Sequence, residues 1–161
     1  MCKDEWNFWI SKPNLAALGI SESEKEWFIK YARDHLLPIQ DRLDLVDHET
    51  EIVPGIWAVA AFGHTPGHMA VSIISNNKRL LCISDAVIHL IHMEQPDWYI
   101  IVDLAPEQVI TTRRQLLNRA ATEKALVHAS HFQFPGLGYV FQKGDGWQWQ
   151  PMGKQVKTLN T

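Results

Sequence analysis

Long apolar runs are missing from this sequence of 161 residues. No stretch approaches the ~18 consecutive apolar residues that a membrane-spanning helix needs, and Met1-Cys2-Lys3-Asp4-Glu5 has neither the basic start nor the apolar core of a secretory leader. Cysteine is scarce as well. Cys2 and Cys82 are too few for a disulfide framework, and Cys82 lies in the apolar run Leu80-Leu81-Cys82-Ile83, where a buried, reduced thiol is expected. A reducing, cytoplasmic setting is the resulting expectation. Charge of one sign is gathered nowhere: 15 Lys+Arg stand against 18 Asp+Glu, for a formal charge of -3. That excludes the electrostatic footprint of a nucleic-acid binder or of a protein held on an anionic membrane, and leaves a small-molecule substrate as the expected partner. Internal repeats and low-complexity tracts are absent too.

What is present is an ordinary globular composition, 46% apolar and 20% charged, that suits one domain. A chain of this length buries roughly 68–70% of the surface its unfolded form exposes, so a core forms without help from disulfides or metals. The pattern changes once, dividing a single domain of residues 1–161 into a helical segment, 1–50, and a segment of strands, one helix and polar loops, 51–161. Histidine and tryptophan are unusually frequent, at 8 and 7 residues.

In the first segment, Ser21 offers an N-cap with Glu24 three positions on, and Trp27, Phe28, Tyr31, Ala32, Leu36 and Leu37 recur at helical spacing until Pro38. One amphipathic helix is predicted there. A turn of helix is expected over the aromatic stretch Glu5 to Ile10, and residues Ile39 to Val46 extend the second helix after a break. From Ile52 the signal is strand-like. Ile56 to Phe62 is apolar on both faces, and Val71 to Ser75 and Arg79 to Ile83 read as a hairpin across Asn76-Asn77-Lys78. Pro106 opens a helix with Val109, Ile110, Leu116, Leu117 and Ala120 on one side and Arg113, Arg114 and Arg119 predicted to face solvent. Ala125 to Ala129 is a further buried strand, and Gly138 to Phe141 with Trp147 to Trp149 a second hairpin. Strands mixed with two substantial helices indicate a layered α/β or α+β domain.

Three polar motifs share one placement, immediately after a strand: His64-Thr65-Pro66-Gly67-His68, Ser84-Asp85 and Ser130-His131-Phe132. Loops at strand ends are where α/β sheets gather functional groups. Imidazole nitrogen and carboxylate oxygen are donors that zinc and similar divalent ions accept, which makes His68, Asp85 and His131 candidate metal ligands. Pro66 and Gly67 forbid a helical pairing of His64 with His68, so His64 is expected to support the site and not to ligate. His89 and His92 come four and seven positions after Asp85 and are candidates to line a substrate pocket, with Phe132, Trp98 and Phe134 as an apolar wall. His128 is expected to be a packed histidine.

The order Gly63-His64-Thr65-Pro66-Gly67-His68, apolar hairpin, Ser84-Asp85-Ala86, helix, strand and Ser130-His131-Phe132-Gln133-Phe134-Pro135-Gly136-Leu137-Gly138 resembles the later motifs of the metallo-β-lactamase-fold hydrolases. The wording is most similar to the branch containing methyl parathion hydrolase and lactonase-like enzymes. The resemblance implies an αββα sandwich with two zinc ions, His68 on the first, Asp85 bridging both and His131 on the second. It also implies hydrolysis of an ester, lactone or phosphotriester-like bond by a metal-bound hydroxide.

The family's earlier signature, H-x-H-x-D-H, occurs nowhere in the sequence, and His35 and His48 stand outside any such spacing. Four of the ligands used by the family are therefore absent. The start Asp4-Glu5-Trp6-Asn7-Phe8-Trp9 resembles the family's segment on the C-terminal side of that signature, so Met1 looks internal. The expected fold is the C-terminal part of the sandwich, with the first sheet's opening strands missing. Two readings of activity remain open: a metal-dependent hydrolase, or a non-catalytic remnant that binds little metal and pairs with itself or another chain. An unrelated small binding domain with coincidental histidines is a third.

Overall fold

The computed structural model describes residues 1–11 and 13–153, so the last residues of the expected 1–161 domain lie outside the described ones. Two helices open the chain, α1 at Lys3–Ile10 and α2 at Glu22–Leu36. The cap foreseen for α2 forms in both directions: Ser21 Oγ accepts from Glu24 N–H at 3.3 Å, and Glu24 Oε2 accepts from Ser21 N–H at 2.7 Å. Pro38 lacks an N–H and restricts the residue before it, and the chain beyond α2 tightens into a 3-10 turn, Leu37–Arg42. The expected helical extension ends there. Val46 instead forms a bridge to Cys2, with Lys3 N–H donating to Val46 O at 2.9 Å.

The aromatic stripe of α2 has an unexpected place. Trp27 and Tyr31 stack 5.1 Å apart yet are 56% and 52% exposed, and no residue of α2 is fully buried. The helix is held instead by Arg33, whose guanidinium caps the end of α1 at Trp9 O (3.2 Å), Ile10 O (3.4 Å) and Ser11 O.

Among the described residues seven strands form one sheet in sequential order: β1 Thr50–Val53, β2 Ile56–Ala60, β3 Met69–Ser75, β4 Lys78–Cys82, β5 Leu126–His128, β6 Leu137–Lys143 and β7 Gly146–Pro151. Asn76 and Asn77 both take positive φ, 49° and 58°, the geometry of the tight turn that matches the twist of the β3–β4 hairpin. Every pairing is antiparallel except β4 with β5, which are parallel because the chain crosses over through α4, Pro106–Thr122. A short helix, α3 at Ile91–Glu94, precedes it.

The core lies on one face of this sheet. Leu116, Leu117 and Ala120 of α4 and Met93 of α3 close over Val59, Ala70, Leu81, Val127, Val140 and Trp147. Arg113 corrects the expectation of a solvated arginine, because it is 0% exposed within α4. Its Nε donates to Ala86 O at 2.7 Å, and Nη1 donates to Pro96 O at 2.8 Å and to Trp98 O. Three main-chain carbonyls supply what water would otherwise supply, so the charge can be buried at tolerable cost. Arg114 and Arg119 stay at the surface and pair with Asp97 and with Glu49 and Glu123.

The opposite face is apolar but open. Cross-strand register aligns Ala58, Val71, Cys82, His128 and Leu137 in one row, and Ile56, Ile73, Leu80 and Leu126 in the next. Ile56, Val71, Tyr139 and Phe141 are exposed, whereas Leu81 and Val127 on the helix side are fully buried. Cys82 belongs to this open face and is half-buried, which corrects its expected burial; Cys2 is the buried cysteine.

Candidate metal centre

The loop from Ala61 to His68 joins β2 to β3 and is closed at its base, where Ala61 N–H donates to His68 O at 2.9 Å. Gly63 has φ 127°, and a Cβ there would stand 2.3 Å from Val109 N, so only glycine lets the first turn of α4 seat against the loop. The neighbouring Ala105 N–H and Leu104 N–H donate to Gly63 O and His64 O, at 2.9 and 3.2 Å. His68 leaves this pinned loop with Nδ1 2.8 Å from Ala61 O, which fixes the proton on Nδ1 and leaves Nε2 as the acceptor. Its lone pair accepts from Asp85 N–H at 3.3 Å.

Asp85 lies in a 3-10 turn, Ser84–Ala86, directly beyond β4. Ser84 takes a φ of 43°, a left-handed conformation that a serine adopts at some cost and that re-aims the chain at the strand end. The carboxylate stands between two imidazoles: Oδ2 is 3.8 Å from His68 Nε2 and Oδ1 is 2.6 Å from His131 Nε2. An ionised carboxylate only accepts, so His131 donates through Nε2. Side-chain exposure climbs across the three, from 10% for His68 through 34% for Asp85 to 42% for His131, so the group opens to solvent on its His131 side.

A second histidine backs the first. The His64 ring lies 5.8 Å from that of His68, and its Nδ1 is 2.9 Å from Oδ1 of the buried Asp103, whose Oδ2 accepts from Ile100 N–H. Burial pushes the His64 pKa down, but the Asp103 hydrogen bond and the charges of Asp85, Asp103 and Glu5 outweigh it and leave it raised. For His68 burial prevails over the Ala61 bond and the Asp85 charge, and its pKa is lowered, which favours the neutral form that can ligate.

The remaining candidates are dispersed. His92 is buried at 3% exposure, with Nδ1 unpartnered, and burial with Arg113 nearby pushes its pKa down to about 4. It is a packed residue of α3 and presents no surface to a pocket. His89 is exposed and accepts from Ile91 N–H through Nδ1 at 3.1 Å, and His128 sits half-buried on the open sheet face. Phe132 is half-buried edge-on against Trp149 at 5.0 Å, while Trp98 and Phe134 project into solvent, the latter 94% exposed, and form no wall. Glu5 was not legible as a site residue: from α1 it reaches the His68 loop, accepting from Thr65 Oγ1 at 2.6 Å and Gly67 N–H at 2.9 Å.

In donor chemistry, the neutral His68 nitrogen, the Asp85 carboxylate and His131 suit zinc. In number they fall short. Each imidazole with the shared carboxylate gives two protein donors per ion where a catalytic zinc has three, and among the described residues no three His, Cys, Asp or Glu side chains are placed to hold one ion.

No family model and no curated protein matches the chain. Solved structures do. The dizinc quorum-quenching lactonase AidC, solved in complex with its product N-hexanoyl-L-homoserine, superimposes with a TM-score of 0.86 at 27% identity, over 96% of this chain and 54% of its own. The hydrolase AbOPH of the β-lactamase superfamily superimposes with a TM-score of 0.80 at 22% identity, again over 96% of this chain and 54% of its own. This chain therefore spans about half the length of these neighbours, and its fold is part of the metallo-β-lactamase fold.

Proposed function

We propose that this chain carries the later half of a dinuclear zinc hydrolase site, with His68 on one ion, His131 on the other and Asp85 between them, and that the substrate is a lactone or related ester. A phosphotriester is the nearest alternative bond. The observation that supports it best is the Asp85 carboxylate lying between imidazoles drawn from two other loops, at 3.8 and 2.6 Å. The likeness to a dizinc lactonase at 27% identity favours the lactone.

Zinc, when bound, acidifies a water and polarises the group under attack. The chain's own residues orient and hold: Ala61 O fixes the His68 tautomer and the Ser84–Ala86 turn presents the carboxylate, while the Asp85 N–H on Nε2 would give way to the ion. Two donors per ion require further ligands from outside this set. A small, uncharged substrate suits a protein without a basic face, and neither nucleic acid nor a membrane is a proposed partner. No helix among the described residues is long and apolar enough to cross a membrane. Two free cysteines favour a reducing, cytoplasmic setting. Self-association through the open sheet face is proposed as a second property, on the strength of the exposed apolar side chains Ile56, Val71, Tyr139 and Phe141 on that face.

The test is turnover of an acyl-homoserine lactone and of an aryl phosphotriester by zinc-loaded protein beside Asp85→Ala and His68→Ala. Wild-type turnover above both variants is the expected result. Turnover no faster than Asp85→Ala would reject the assignment.

A further inference from the structure

Glu5 is joined to the candidate centre by geometry that the proposed ligands do not account for. One carboxylate receives three donors: Trp9 Nε1 at 2.7 Å on Oε1, and Thr65 Oγ1 at 2.6 Å with Gly67 N–H at 2.9 Å on Oε2. Trp9 lies one helical turn further along α1, so it braces the carboxylate from its own helix. Thr65 and Gly67 belong to the loop that ends in His68. The contact is close as well as polar: a Cβ on Gly67 would stand 2.2 Å from Glu5 N and 2.8 Å from Glu5 Cα, so backbone meets backbone there.

We propose that Glu5 is a positioning residue for His68, fixing through Thr65 and Gly67 the direction and tautomer of the imidazole. Gly67 precedes His68, whose Nδ1 and main-chain O both meet Ala61, at its O and its N–H, where the loop closes. The other side of the loop is pinned at Gly63 and His64 by the approach to α4, and on the His68 side the Glu5 carboxylate adds an external restraint to the turn that His68 N–H closes on Thr65 O at 3.4 Å. All three groups around it are donors, and a carboxylate is the side chain that can accept from all three. The role in metal binding rests on the reading of His68 as a ligand; the role in fixing the imidazole does not.

Glu5→Gln tests this with little change of shape. The amide oxygen can keep Thr65 and Gly67, but the amide nitrogen then faces Trp9 Nε1–H, donor against donor. Trp9→Phe removes that conflict. In 15N-edited spectra of the full chain, the wild-type His68 imidazole is expected as a single Nδ1–H tautomer, Glu5→Gln as a tautomer mixture, and the double variant Glu5→Gln/Trp9→Phe as the single tautomer again. Co2+ titrated as the probe should bind the single variant about 10-fold more weakly than wild type and recover in the double variant. A merely structural role would lower the melting temperature of both variants and leave the imidazole signals of Glu5→Gln unchanged, and that result overturns the proposal. A double variant that stays mixed also overturns it. If wild type takes up no Co2+, the metal assignment fails while the imidazole spectra still decide the role of Glu5.

Discussion

Asp85 Oδ1 lies 2.6 Å from His131 Nε2, a contact between residues 46 positions apart that joins the loops beyond two adjacent strands. It is the shortest link within the candidate centre, and it is made by the two residues of that centre most open to solvent. Asp85→Asn keeps the shape of the side chain and removes its charge. Zinc affinity is expected to fall at least about 10-fold, since the amide gives up the anionic donor proposed to bridge the two ions, and lactone turnover to fall to the Asp85→Ala level. Calorimetric titration with Zn2+ checks the first, and unchanged affinity would remove Asp85 from the set.

Arg113 is committed to three carbonyls in the interior. Arg113→Leu fills much of the volume but leaves Ala86 O, Pro96 O and Trp98 O without their donor, and should cost at least about 3 kcal/mol in urea-induced unfolding. Arg113→Lys should recover part of it, because an ammonium can reach some but not all of the three. A loss below about 1 kcal/mol for the leucine variant would mean that these carbonyls find other partners.

The buried His92 makes stability depend on acid. Its folded pKa, about 4, lies below the unfolded 6.5, so the unfolded chain takes up a proton that the folded one refuses. Stability from this source is complete above pH 6.5 and is lost as pH falls through the window down to about 4, by up to about 3 kcal/mol. Arg113, His89 and Asp103 are the charged or titratable neighbours that tune the shift. Unfolding midpoints of His92→Gln should fall less steeply across that window than those of wild type. Parallel slopes would reject His92 as the source.

The open sheet face should make the protein associate as its concentration rises. Val71→Glu and Phe141→Lys each place a charge at an exposed position of the open face, away from the buried one. Sedimentation velocity is expected to show wild type moving to larger species with concentration and the double variant remaining monomeric, with the same circular dichroism. A wild type that stays monomeric at all concentrations would refute the association.

The order of strand, polar loop and strand was readable because apolar periodicity and turn residues are local signals. The first motif could be placed at a strand end from Gly63 and Pro66, the second from the hairpin across Asn76-Asn77, and the third from the apolar run Ala125 to Ala129. What covers a face is not local. The stripe of Trp27 and Tyr31 has the spacing of a buried helix face and remains exposed, while Arg113, four positions after Val109 and four before Leu117, shares the buried face of α4 although its charge suggested a solvated side chain. In each case the outcome depends on partners far along the chain: Arg33 holds α2 from the side, and three carbonyls between Ala86 and Trp98 reach Arg113. Glu5 was hidden for the same reason, since its partners lie 60 and 62 positions away. The shortage of metal donors, by contrast, was visible directly as a motif that the sequence does not contain.

The parallel register of β4 and β5 has a bearing on assembly of the sheet. Cys82 is paired with His128, and Asp85 and His131 each overhang that rung by the same three residues. Sliding β5 by one residue would move His131 by about 3.3 Å along the strand and point the side chains of β5 to the wrong layer. The imidazole would then miss the carboxylate, and any ion that needs both would not be retained. The pair itself is therefore a checkpoint on strand alignment: only a correctly zipped crossover closes His131 on Asp85, and a misaligned one leaves both side chains without their partner.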